Sequence, residues 1–164
     1  MKKIILVIFS VVIAFAANAQ QKLAFPFQGG KTVMQNFFRD SLKVSKDVIN
    51  KKAVGSAVFK FTANEYGQVK KIIVYYADDA ILVKSIIEAL QKSDRKWIIP
   101  DGEKTHDFIL PFSINFNTSP TSSDQLNKQL FDYYSKRQPI VSFDQVPLDM
   151  ATLLPTIIVK YDIK

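Results

Sequence analysis

Between residues 55 and 116 the apolar positions change period twice. Over GSAVFKFTA, Ala57, Phe59, Phe61 and Ala63 alternate with Val58, Lys60 and Thr62. That period of two, with aromatic and β-branched residues, predicts a strand. NEYG follows, and Gly67 supplies the positive φ that a short hairpin loop often requires. QVKKIIVYYA is the partner strand; its pattern leaves open which face joins the core. In DDAILVKSIIEALQKS the residues Leu82, Val83, Ile86, Ile87 and Leu90 recur at helical spacing, and Asp78 or Asp79 is placed to cap the first turn. Beyond RKWIIPDG the alternation returns, with Phe108, Leu110, Phe112, Ile114 and Phe116 on one face of HDFILPFSINF. The expected fold is α+β: a three-stranded antiparallel sheet in β-β-α-β order with a helix packed on one face. Its expected core is Phe59, Phe61, Leu82, Ile86, Leu90, Trp97, Phe108, Leu110 and Phe112.

The flanks add three elements. Upstream, Thr32 and Gln35 have the spacing of a capping box, and Met34, Phe37, Phe38 and Leu42 give the helix that follows an apolar side. Downstream, NTSPTSSD at 117–124 reads as a loop. It leads into a helix with Leu126, Leu130 and Tyr134 four apart, capped by Ser122 or Ser123 and ended by Pro139. Residues 156–161, TIIVKY, read as a closing strand. A tail of about 45 residues is too short to fold alone, so it is expected to pack on the main domain. Its strand is expected to pair along the outer edge of the 108–116 strand, covering two rows of unpaired backbone groups at once. The division is then 1–19 leader, 20–118 main domain and 119–164 C-terminal extension.

The leader rests on Lys2 and Lys3, a thirteen-residue apolar run IILVIFSVVIAFA, and Ala17-Asn18-Ala19. This is the pattern of a cleavable signal peptide, with a mature start at Gln20. The run is short of the roughly 20 apolar residues of a spanning helix. The expectation is a periplasmic or secreted protein of a Gram-negative envelope, without a stable membrane span once the leader is cut. Cysteine is absent from all 164 residues, which excludes lipidation at cysteine, disulfides and thiolate metal sites. Removing the two leader lysines lowers the formal charge from +7 to +5, with no dense basic block. Lys43, Lys46, Lys51 and Lys52 are interspersed with Asp47 and apolar residues, as on a solvated helix face. Nucleic acid is not an expected partner.

Groups for catalysis are sparse. His106 is the single histidine, and its neighbour Asp107 points to the opposite face of a strand. Neither GxSxG nor HExxH occurs. GGKT at 29–32 matches the end of a phosphate-binding loop, but Phe25 stands where the earlier glycine belongs. Asp78-Asp79 are read as helix caps and Asp40, beside Arg39, as a solvated residue. Tyr75 and Tyr76 alternate across the sheet, so one faces out. The chain is expected to be no enzyme and to need no cofactor or metal.

The ordered set FPFQGGKTVMQNFF, KDVINKKAVGSAVFKFTANEYGQVKKIIV, RKWIIPDG and LPFSINF resembles the TonB C-terminal domain family as found in Bacteroidetes-type bacteria. The likeness spans about residues 26–116; the chain carries Val44-Ser45 where the family usually has Tyr-Pro. The resemblance implies a non-catalytic module that binds an envelope protein or extended peptide by adding a strand to a sheet edge. The implied edge is that of Phe108, Leu110, Phe112, Ile114 and Phe116. With only eight residues from Gln20 to Phe27, no energy-transducing role is expected. Sheet edges also offer a route to oligomers. The alternative expectation is a small-ligand-binding periplasmic protein, with a pocket between sheet, tail and N-terminal helix.

Overall fold

A computed structural model describes residues 25–117 and 124–162. The leader, its cleavage site and the Ser122 or Ser123 cap lie outside the described residues. In chain order the elements are α1 (Gly30–Ser41), α2 (Lys46–Asn50), β1 (Gly55–Asn64), β2 (Val69–Ala77), a 3-10 turn (Ala80–Leu82), α3 (Val83–Lys92), β3 (Thr105–Phe116), α4 (Asp124–Lys136), β4 (Ile140–Val141), β5 (Thr152–Leu153) and β6 (Ile157–Tyr161).

The central hairpin and helix follow from the pattern. β1 pairs antiparallel with β2 and with β3, opposite Leu110 at Phe59 and opposite Phe108 at Phe61. Gly67 has φ +71 in the hairpin turn, and a Cβ there would lie 2.5 Å from the carbonyl oxygen of Trp97. Only glycine fits both the left-handed backbone and the close approach. Asp79 accepts from the Ile81 amide at 3.1 Å and so caps the 3-10 turn that feeds α3. Asp78 instead ties β1 to β2: its carboxylate accepts from the Ser56 amide and the Tyr76 hydroxyl.

All nine expected core residues are buried. Trp97 sits at their centre, with ring centroids 4.5 Å from Phe61 and 5.1 Å from Phe27. Its indole N–H donates to Ser93 Oγ at 2.9 Å, which satisfies the one polar atom that burial would strand. Phe38, from α1, meets Phe112 edge to face at 5.7 Å. Such contacts add to area burial, which carries most of the stabilisation.

Three expectations are corrected. The sheet has six strands, not three, and is mixed: its order is β4-β2-β1-β3-β5, with β6 also on β3. The added strands all come from the tail, and β5 and β6 run parallel to β3. The capping box at Thr32 does not form, because α1 begins three residues earlier than that cap would start it, behind Gly29, whose φ of 86 makes the turn. On α4 the buried residue is Tyr133, while Tyr134 is exposed. A step of four and then one of three carries the stripe from Leu126 to Tyr133, which follows the helical period more closely than two steps of four.

Two tail tyrosines fix the extension. Tyr133 Oη donates to the Val54 carbonyl at 3.1 Å, and Tyr161 Oη donates to the Ala53 carbonyl at 2.8 Å. Burial pushes both phenols well above the ordinary tyrosine range, with the nearby Asp79 and Asp78 adding to the shift of Tyr133. Consecutive carbonyls of the connector between α2 and β1 thus hold both ends of the tail.

Candidate functional site

Among the described residues, α1 and α3 pack on one face of the sheet, and residues 142–151 cross the other. Alternation puts Val58, Lys60 and Thr62 of β1 and Asp107, Ile109, Pro111 and Ser113 of β3 opposite the buried phenylalanines. β4 pairs with β2 at one side of the sheet and β5 pairs with β3 at the other. Residues 142–151 must therefore pass over this helix-free face. Lys60 marks the crossing. Its ammonium is 2.8 Å from Asp107 Oδ2 and donates to the Pro147 carbonyl on the strap. Thr62 Oγ1 donates to Asp107 Oδ1 at 2.6 Å. Burial alone would raise the Asp107 pKa, but the bonds from Lys60 and Thr62 and the Lys60 charge outweigh it and hold the carboxyl below its usual range. Lys60 is buried, and a buried ammonium persists only when so paired.

The same strap exposes apolar side chains. Phe143 is 100% exposed and Met150 89%. Val141, Leu148, Leu153 and Ile158 are exposed as well. Val141 stands beside Tyr76, Leu153 beside Ile109 and Ile158 beside Ser113, which sets these three on the helix-free face. Six of the twelve large hydrophobics exposed among the described residues thus fall between positions 141 and 158. Single exposed apolar residues are ordinary on a protein surface, whereas a large contiguous patch marks an interaction site.

The two sheet edges differ. Along β3 the outer edge is taken by the chain itself: Phe112 to Phe116 align with Ile157 to Tyr161, and Leu154 N donates to the Ile109 carbonyl at 2.8 Å. Along β2, β4 pairs with Tyr76 and Ala77, and the Ser142 amide just beyond it donates to the Tyr75 carbonyl at 3.1 Å. Among the described residues no strand pairs with the outer side of positions 69–74. Exposed Lys70 and Lys71 stand on that stretch, and the Val69 amide is taken by Asp94 Oδ1 at 2.9 Å. Charge and a capped end are common ways of blunting an edge.

The residues singled out for the partner-binding edge land as follows. Phe108, Leu110, Phe112 and Ile114 are buried in the core beneath the helices, and Phe116 is half-buried against the Tyr161 ring at 5.4 Å. Their backbone edge faces β5 and β6, so a partner strand there would have to displace residues 152–161. His106 and Asp107 do diverge across the strand. His106 bridges Glu103 Oε2 and Thr152 Oγ1, each at 2.7 Å, and so ties β5 to β3. Tyr75 is exposed, while Tyr76 is half-buried. Arg39 and Asp40 form an exposed pair. No group of three metal-ligating side chains occurs among the described residues, and no described helix is long and apolar enough to cross a membrane. Phe143, Leu148 and Met150 escaped the sequence reading because they follow no period; with five apolar residues in ten, 142–151 barely differs from the chain's 48%.

Comparisons with protein-family models, curated proteins and solved structures return no match.

Proposed function

We propose that this chain is a non-catalytic interaction module of the Gram-negative cell envelope, binding a protein or extended peptide. The observation that carries the reading is the exposed apolar set of the helix-free face, from Val141 to Ile158. Keeping such side chains in water is unfavourable, by about 25 cal/mol for each Å² a partner would cover. The unpaired stretch of β2 beside that face gives an extended segment main-chain partners, the mode in which backbone bonds give affinity and neighbouring side chains give selectivity. The resemblance to TonB C-terminal domains and the leader-like N-terminus support the same reading and the envelope location. In this molecule the β3 edge already holds a strand, so recognition falls to the β2 side and the face between.

A photo-crosslinking residue placed at Phe143 or Met150 tests this in cells. Discrete adducts of one mass are expected there, and none from the same residue at Lys84 or Glu88 on α3. Equal labelling from both sides, or none from either, would refute the face as a binding site.

A further inference from the structure

A cleft of about 440 Å³ opens between the end of α2, the 3-10 turn and α4. It shares no lining residue with the strap. Lys51, Lys52 and Lys136 reach it from two elements, and among the described residues none of the three takes part in an ion pair. Its apolar wall includes Ile81 and the Tyr133 ring. Two carboxylates also line it. Asp79 is committed to the Ile81 amide; Asp132 is not. Three ammonium groups against two carboxylates leave one positive charge in excess.

A second observation concerns Lys52. α2 ends in a Schellman arrangement: the Ala53 amide donates to the Val48 carbonyl at 2.9 Å and the Lys52 amide to the Ile49 carbonyl at 3.1 Å. In that motif the residue at Lys52 is left-handed, and it is usually glycine. Here lysine holds φ +50. A side chain is thus kept at a backbone position that disfavours one, and that side chain lines the cleft. Residues held in sparsely populated backbone regions cluster at ligand sites.

We infer that this cleft binds a small organic monoanion, a carboxylate on an apolar body, with Lys52 and Lys136 meeting the charge and Ile81 and Tyr133 the body. One excess positive charge suits a single carboxylate better than a polyanion. The volume lies in the range of small-molecule pockets. This inference is independent of the partner face and survives the failure of that reading.

Benzoate is the probe, titrated into the mature protein and followed by amide chemical shifts. Shifts are expected at Lys51, Lys52, Ala80, Ile81 and Gln138, weaker with added salt, with no matching response to neutral benzamide. Lys52→Gly is expected to raise the denaturation midpoint, because glycine relieves the left-handed backbone, while weakening benzoate about tenfold. Lys136→Gln, on the exposed side of α4, is expected to weaken it comparably without changing the fold. Benzamide binding as well as benzoate, shifts confined to other regions, or unchanged affinity in either variant would overturn the assignment. A lowered midpoint for Lys52→Gly would overturn the premise that lysine is held there against its backbone preference.

Discussion

Replacing Lys60 with methionine removes the ammonium that joins β1, β3 and the strap while keeping most of the side-chain volume. Two losses follow. The Pro147 carbonyl loses its donor, and Asp107 keeps only Thr62. The Lys60 side chain is 8% exposed and that of Asp107 34%. The pair therefore lies between exposed bridges, worth about 0–1 kcal/mol, and buried ones, whose rupture costs about 3–5 kcal/mol. Methionine recovers some apolar packing, which places the net cost at about 2 kcal/mol. The pH dependence separates this cause from a packing defect. Asp107 is held below the usual carboxylate range in the folded chain. Its contribution is then complete above the ordinary aspartate value of about 3.9 and is lost as pH falls through the folded value. Urea unfolding should show the full gap between native and variant protein near neutrality and a shrinking gap in acid. Hydrogen exchange should quicken at residues 142–151. A gap that is the same at both pH values, or strap amides that exchange as before, would refute the latch.

Ile86→Ala empties a fully buried site between α3 and the sheet and should cost about 2–5 kcal/mol in denaturant unfolding. Tyr133→Phe and Tyr161→Phe each remove one hydroxyl bond to a connector carbonyl and should cost about 1 kcal/mol. Because both phenols are raised in the folded state, their contribution is complete below the ordinary tyrosine value of about 10 and is lost as pH rises above it. The double variant should therefore show a flatter alkaline limb in a thermal-melt series. Gly67→Ala meets the Trp97 carbonyl and a left-handed backbone together. A loss of at least about 2 kcal/mol is expected, measured as a lowered urea midpoint.

Elements with a sustained period were legible. β1, β3 and α3 each repeat their apolar positions over ten residues or more, so their faces and the core could be read directly. The closing strand was legible from TIIVKY, and it does pair with β3. Its parallel direction was not, since direction depends on the path of residues 137–156, which carry no period. β4 and β5 are two residues each, too short for any pattern to register. Lys60 looked like an ordinary outward lysine of an alternating strand. Its burial is caused by a chain segment 87 positions away, which no local window contains. The start of α1 was misplaced because Thr32 offers a side-chain cap, whereas Gly29 starts the helix by backbone conformation alone. The lysines of the cleft were visible as residues but not as neighbours, because α2 and α4 meet only through the tertiary fold.

The closure of the sheet by its own tail also has a consequence in time. β4, β5 and β6 follow β3 in order of synthesis, and Asn117 bonds to Asp162 across 45 positions. Until those late residues arrive, the β1–β3 sheet has two raw edges and Lys60 lacks the Pro147 oxygen. Contacts between distant parts of a chain are slow to form. During that delay one chain's uncovered β3 edge is open to another's. Refolding yield should therefore fall as concentration rises, even though the finished molecule presents that edge already paired.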